Sequence, residues 1–432
     1  MAVATAISDE GVVAVRDRAD VRRQIKLVSI FGLVLLALIV FYSRIDDFNV
    51  VYTLGERVTK DDPAESINAQ PIMIAGIVVA ALALLLAAVN RVPKGALGAL
   101  VYLLVGVAFF SGFIIWCYAD QSGAFSVAII NPFPGTIRLA TPLIFGALAG
   151  CLCERAGVIN IAIEGQFLMG AFFAAVASSL AYSAEMGLVG GILAGVAVAA
   201  LLGVFALRYQ VNQVVLGVVL IALATGLTDF LLSQIPDDPE IKKYLNEPLI
   251  LERIPISGLV DIPVIGPALF NQTILVYIMY ASVVFVTVLL FQTTWGLRAR
   301  SVGEHPKAAD TVGIKVNRVR WQAVLLGGVF AGLGGAYFTV GSTGTFDSNA
   351  SAGNGFIALA AVIMGRWNPI GATMAALLFG FCFTLQAQLA FLDKIPGELL
   401  RASPYLVTVI AVAGFVGRVR PPAADGEPYV KS

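Results

Sequence analysis

The sequence predicts an all-α, polytopic transmembrane helix bundle of about 10–12 spans, some of them interrupted. Three observations predict it. Of 432 residues, 58% are hydrophobic and 13% charged, with a mean hydropathy of +0.87, whereas an ordinary soluble domain is about 25% charged. Apolar runs of about 18 residues, enough to cross the roughly 30 Å hydrocarbon core as a helix, recur along the chain. Glycine is abundant, at 43 residues, and many of these glycines lie inside the apolar runs.

Taken in order, spans are expected at 27–43, 71–90, 95–118, 136–152, 158–182, 187–207, 213–234, 272–292, 321–341, 355–364, 371–391 and 403–418. Arg16, Arg18, Arg22, Arg23 and Lys26 precede the first, and no small-residue cleavage pattern follows it, so it reads as an uncleaved anchor. Residues 1–70 then form a cytoplasmic segment, an anchor helix and an outer loop. Residues 71–418 form the transmembrane domain, and 419–432 a cytoplasmic tail. Segment 355–364 is short, and a tilted crossing is favoured over a re-entrant one. Without that crossing, the cationic C-terminus would fall outside. Pairs such as Gly191 and Gly195, Gly328 and Gly332, and Ala331 and Gly335 are spaced four apart, which lets helix backbones approach closely.

Lysine and arginine in the short loops set the orientation. With the N-terminus cytoplasmic, Arg91, Lys94, Arg155 and Arg208 fall inside. So does 293–320, with Arg298, Arg300, Lys307, Lys315, Arg318 and Arg320 against Glu304 and Asp310. Arg418, Arg420 and Lys431 place the C-terminus inside as well. Segments 44–70, 119–135, 183–186, 235–271, 342–354 and 392–402 fall outside. The protein is thus expected in the cytoplasmic membrane as a multi-pass chain with both termini cytoplasmic, in contact with lipid. Equal counts of 28 basic and 28 acidic residues give no sign of nucleic-acid binding. Cys117, Cys151, Cys153 and Cys382 read as packing residues, and the single histidine, His305, argues against metal and hydrolytic chemistry.

A carboxylate inside an apolar run needs a reason, because one at the bilayer centre costs about 2.5–3.5 kcal/mol on insertion scales. Glu164 shares a helix face with Asn160, four residues earlier, and Gly157 and Gly165 bracket the pair. Two roles are open: a polar lining of a path or hinge between half-helices, and a satisfied residue at a helix start. Asp229 reads as a solvated helix end. Two apolar runs break in similar ways, one at Glu154–Asn160 and one at Gly365-Arg366-Trp367-Asn368-Pro369, where Pro369 cannot continue a helix. Paired interrupted helices are common in transporters built from repeats. In 293–320, Pro306 opens a short helix that ends near Gly313. That helix is placed either to dock a soluble partner or to anchor at anionic headgroups.

Three stretches, Glu154–Phe172, Gly296–Arg320 and Gly355–Gly371, resemble the permeases of ABC importers for branched-chain amino acids, simple sugars and nucleosides. The resemblance covers roughly 95–418 and implies the fold of type II ABC importer permeases. Ala308, Ala309 and Gly313 match the alanine pair and spaced glycine of the permease coupling motif; Lys307 stands where an acidic residue usually precedes the pair. Coupling to an ATPase is therefore expected at Glu304, Pro306, Ala308, Ala309 and Gly313, with Gly365, Arg366, Asn368 and Pro369 beside them. The Ile163-Glu164-Gly165-Gln166 form is most similar to the nucleoside branch, which sets Asn160, Glu164 and Gln166 on the substrate path. The chain has no Gly-x4-Gly-Lys-Ser/Thr loop, so it does not bind and hydrolyse ATP by that route; no cofactor of its own is expected, and where transport is ATP-driven the ATP is bound by a separate subunit. The implied partners are an ABC ATPase, a second homologous permease chain and an extracytoplasmic substrate-binding lipoprotein. An ion-coupled secondary transporter is the rival, and the scarcity of buried carboxylates counts against it. No nucleophile–base or metal constellation supports an enzyme.

Overall fold

The computed structural model describes residues 18–53, 65–120, 127–128, 132–235, 244–262, 265–390, 392, 394, 396–400, 402–403, 405–406 and 420–430. The chain divides into two compact units, Met1–Ile129 and Ile130–Ser432.

The first unit holds α1 (Arg18–Ser43), α2 (Gln70–Ala88) and α3 (Ala96–Tyr118), packed on one another. A small sheet of order β2-β1-β3 joins Asn49–Thr53 (β1), Glu65–Asn68 (β2) and Val127–Ala128 (β3), antiparallel then parallel. The helices keep large apolar side chains such as Leu33, Leu82 and Leu103 exposed, as lipid contact allows. At one end Arg23 donates to Pro93 O at 3.1 Å and Lys94 pairs with Asp20 at 3.1 Å, which gathers the basic residues of α1 and of the α2–α3 turn. At the other, Phe41 stacks on Trp116 with ring centroids 4.9 Å apart.

The second unit is built around α4 (Pro132–Arg155), α5 (Ile163–Ala181) and α12 (Val316–Phe338). Between them come α6 (Ala184–Gly203), closed by a π turn at Val204–Arg208, and α7 (Gln213–Ser233). Strand β4 (Arg253–Pro255) pairs with β5 (Asn271–Thr273) across the short α8 (Ile265–Phe270), ahead of α9 (Ile274–Gln292). Next are α10 (Thr294–Glu304) and α11 (Pro306–Thr311). Helix α12 ends in a second π turn at Thr339–Thr343, followed by α13 (Asn354–Met364) and α14 (Pro369–Leu389). Sequence features explain several boundaries. Asn212 caps α7 by accepting from Val214 and Val215 N, and Thr293 caps α10 by accepting from Gly296 N. Asn368 accepts from Ile370 N and Gly371 N, with Pro369 in the first helical position, where its missing N–H costs nothing.

Ten helices of the described residues are long and apolar enough to cross a membrane, and they match the expected spans. The expected span at 403–418 falls, except for 403, 405 and 406, outside the described residues. Two readings need adjustment. Segment 293–320, read as a loop with one short helix, carries two helices before α12. The outer connections at 44–70, 119–135 and 235–271 contain small strands, β1 and β2 in the first, β3 in the second and β4 in the third.

Helices α4 and α12 are the centre: 89% and 83% of their most apolar windows are buried, against 28% for α7. The spaced glycines make the centre dense. A Cβ on Gly195 would lie 2.6 Å from Gly332 Cα, and one on Gly332 would lie 2.8 Å from Ile192 Cα. On the other flank of α12, Gly335 meets Gly170 of α5 at 2.9 Å by the same measure. Backbones thus touch where lipid supplies no hydrophobic drive and close packing must hold helices together.

Helix α13 runs alongside α4. Gly146 faces Ala358 and Ile163, and Gly150 faces Val362. Helix α5 therefore starts level with Gly146, about 13 Å inside the end of α4 at the rise of an α-helix. Helix α13 begins at that depth too, since Gly355 packs on the backbone of Glu164. By Gly365 the chain has returned to the end of the unit that carries α10 and α11, called the basic end below. Two helix starts thus meet inside the bundle.

Candidate functional site

At that meeting point sits the Glu164 carboxylate, only 5% exposed. Its Oε1 accepts from Ser351 Oγ at 2.5 Å and from Gly353 N at 2.9 Å; its Oε2 accepts from Gly355 N at 2.6 Å. Gly353 has φ +80°, a conformation glycine adopts without Cβ strain, and it lets the chain turn its N–H groups onto the acid. The carboxylate takes the place of an N-cap side chain for α13, whose first N–H groups have no intrahelical partner. The partial positive charge of the helix start is its counter-charge.

Asn160 and Gln166 are fully buried behind it. Asn160 Nδ2 donates to Gln166 Oε1 at 3.2 Å and to Cys153 Sγ at 3.7 Å. Among the described residues, Asn160 Oδ1 and Gln166 Nε2 have no partner. The two amides tie the non-helical 156–162 segment to the first turn of α5.

Beside the start of α13, a cavity of about 350 Å³ opens between α4, the end of α12 and α14. Its walls include Tyr337, Phe338, Phe383, Asn354, Gln386 and Ser342. Asn354 is the first residue of the helix that Glu164 caps, so the acid shapes the wall without lining it. Asn160 and Gln166 do not line it. Aromatic faces with amide and hydroxyl groups suit a flat, polar, uncharged solute. Sequence reasoning missed these residues. The available signal was amide side chains in apolar helices at Asn354 and Gln386, which lipid disfavours unless they face a cavity or partner.

The basic end gathers the other candidate residues. Thr293 starts α10, Pro306 starts α11, and Gly313 at φ +84° ends the pair. A groove of about 470 Å³ lies between α10 and α11, lined in part by Arg155, Arg300, Glu304, His305, Ala308 and Val312. Val312, 76% exposed, puts an apolar edge on a polar rim. Arg155 links this groove to the second turn: its Nε donates to Trp367 O at 2.8 Å and its Nη2 to Arg366 O at 3.2 Å. Trp367 Nε1 in return donates to Glu154 Oε2. The breaks at Glu154–Asn160 and Gly365–Pro369, paired by their design in sequence, therefore touch. Arg155 and Arg300 both lie over the Phe291 ring, at 5.8 and 5.0 Å. Glu304, Ala308 and Ala309 thus line the groove together with Arg155, which also holds the carbonyls of Arg366 and Trp367.

The model of one family, the permease component of the branched-chain amino acid transport system, matches residues 134–413. Among curated proteins, the guanosine ABC transporter permease protein NupQ of Bacillus subtilis is 40% identical over 309 residues, covering 69% of this chain and 96% of NupQ. The nucleoside ABC transporter permease protein NupC of Lactococcus lactis is 38% identical over 304 residues, covering 68% of this chain and 94% of NupC. A putative glucose ABC transporter permease protein of Haloferax volcanii, TsgC13, is 33% identical over 270 residues, covering 61% and 78%. No solved structure matches. The stretch matched by the family model lies within the second unit and holds its broken helices and basic-end groove, and the chain belongs to the family of branched-chain amino acid transport system permease components.

Proposed function

We propose that the chain is the membrane permease of an ATP-driven importer of nucleosides. The observation that carries the reading is the chamber at the start of α13, the helix that Glu164 caps. A base stacks on aromatic faces, worth about 1–3 kcal/mol, and the amides and hydroxyl answer its edge and the ribose. The likeness to permeases named for guanosine and nucleosides narrows the solute class, and the likeness to TsgC13 favours a simple sugar as second reading. Asn160, Glu164 and Gln166 act on the path from behind, holding the start of α5 and the start of α13. The chain itself catalyses nothing in this reading. ATP is bound by a partner ATPase that docks on Glu304, Pro306, Ala308, Ala309 and Gly313, with Gly365, Arg366, Asn368 and Pro369 alongside. A second homologous permease chain and an extracytoplasmic binding lipoprotein complete the importer. Closure of the ATPases drives the alternation of outward- and inward-open states.

Uptake of tritiated guanosine by vesicles that carry the assembled complex is expected to need ATP and to survive an ionophore. Phe383→Ala and Asn354→Ala are each expected to raise KM about ten-fold, the loss of roughly 1.4 kcal/mol. Uptake that collapses with the ionophore while ATP is plentiful would move the protein to the ion-coupled class. Competition by glucose but not by nucleosides would select the sugar reading.

The basic end is placed in the cytoplasm, with both chain termini, because lysine and arginine concentrate there. In intact cells an impermeant maleimide is expected to label Asp261→Cys and to spare Val312→Cys until the membrane is opened. The reverse pattern would invert the topology.

A further inference from the structure

Residues 420–430 lie beyond the stretch matched by the family model, yet they are folded onto the basic end. Ala424 N donates to Gly303 O at 2.9 Å, and Ala423 N to Glu304 Oε2 at 3.3 Å. Both acceptors are at the end of α10. The fully buried Arg320, in the second turn of α12, reaches into the segment. Its Nη1 donates to Glu427 O at 2.7 Å and its Nη2 to Ala424 O at 3.5 Å. Tyr429 is buried in a cluster with Ala299, Val302, Ala309 and Val319, on α10, α11 and α12. Gly426, at φ +77°, approaches the α4–α5 connection so closely that a Cβ would lie 2.6 Å from Ile159 Cδ1. From the other side, a Cβ on Gly157 would lie 3.0 Å from Ala424 O. Burial lifts the Asp425 carboxyl above its ordinary range while Arg320 pulls it down. One short segment therefore touches α10, α11, α12 and the connection that leads to Glu164.

We propose that residues 422–429 are a coupling strap, which fastens the α10–α11 groove to the α4–α5 connection so that displacement of the groove reaches the start of α5. The strap rests on the reading of the groove as the ATPase dock. Its physical basis is the pattern of attachment. A buried guanidinium is costly unless hydrogen-bonded, and here the strap's carbonyls accept from both of its terminal nitrogens, Nε having no partner among the described residues. The strap's own exposed side chains, Ala423, Glu427 and Pro428, contribute little to that attachment. The segment is held mainly by backbone groups and by Tyr429, which fits a mechanical tie better than a ligand site.

Two variants of the full complex test it. One ends the chain at Arg420. The other is Gly426→Val, which sets a β-branched side chain at positive φ against Ile159 and touches no transmembrane helix. Both are expected to assemble with the ATPase and to hydrolyse ATP at the rate of the parent complex. Uptake per assembled complex is expected to fall about ten-fold, within the 5- to 150-fold range of inter-site coupling. A second readout needs no transport: amide hydrogen exchange at Val158–Asn160 in the purified permease is expected to quicken about ten-fold in both variants. Failure of the parent complex to take up nucleoside with ATP would sink the functional reading and leave the exchange comparison to judge the tie. Uptake within about two-fold of the parent, or unchanged exchange at Val158–Asn160, would overturn the strap. Loss of assembly in both variants would overturn it as well, making the segment a folding element.

Discussion

Glu164→Ala is expected to abolish transport while the long helices stay in place. The substitution strands three donors, the buried Ser351 Oγ and Gly355 N and the half-buried Gly353 N, at about 1–3 kcal/mol for each buried donor left unmade. It also removes the charge that faces the start of α13. The consequence is local: the turn at Ser351–Asn354 and the first turn of α13 loosen, and with them Asn354 on the chamber wall. Uptake per assembled complex should drop at least about a hundred-fold, equivalent to roughly 2.8 kcal/mol. Glu164→Gln is a finer instrument. The amide has one acceptor oxygen, so one backbone N–H must face the amide's own donors. A fall of about ten-fold is expected, one lost charge-assisted bond at about 1.5–3 kcal/mol. Glutamine at full normalised activity would show that neither the charge nor the second acceptor matters, and the cap would lose its role in the path.

The residues around this acid show what a sequence can and cannot disclose. Glu164 was visible because a carboxylate within an apolar run is costly anywhere in lipid, whatever its neighbours. Its two possible roles could not be separated, since the donors it serves lie about 190 residues further on. In the structure the acid caps a helix, although not its own, and the chamber depends on the result. Tyr337, Asn354 and Gln386 come from the end of one helix and from two others, and no periodicity within one segment could join them. The breaks at Glu154–Asn160 and Gly365–Pro369 were legible because glycine and proline act locally, through φ and a missing donor. Their contact through Arg155 and Trp367 was not, because it is tertiary. The C-terminal segment read only as a cytoplasmic tail, as its attachment uses backbone carbonyls, which composition does not reveal. The spans themselves were the easiest part, since lipid imposes length and apolarity on each helix separately.

The second large effect is expected at Gly332→Leu, which should yield no folded second unit at all. Spacing alone marked Gly191 with Gly195 and Gly328 with Gly332 as sites of close approach, and the structure places the two pairs backbone to backbone. The argument is one of distance. Carbon atoms rest at about 3.5–4.0 Å, whereas a Cβ on Gly332 would lie 2.8 Å from Ile192 Cα and 2.9 Å from Gly191 C. Both are backbone atoms that no rotamer change can move, so α6 and α12 would have to part by about 1 Å for alanine and further for leucine. Parting them also loosens α5, because Gly335 of α12 rests on Gly170. Close packing cannot be replaced by hydrophobic burial here, because lipid is as apolar as the side chain introduced. Gly226→Ala is the control. That glycine lies in α7 with open space around it, and alanine there should stabilise the helix by up to about 1 kcal/mol. Melting of the detergent-solubilised protein, followed by fluorescence-detected gel filtration, compares the two. Gly226→Ala should melt at or above the parent temperature, Gly332→Ala should melt well below it, and Gly332→Leu should run as aggregate. A Gly332→Leu protein that elutes and melts like the parent would mean that the α6–α12 contact does not hold the bundle together.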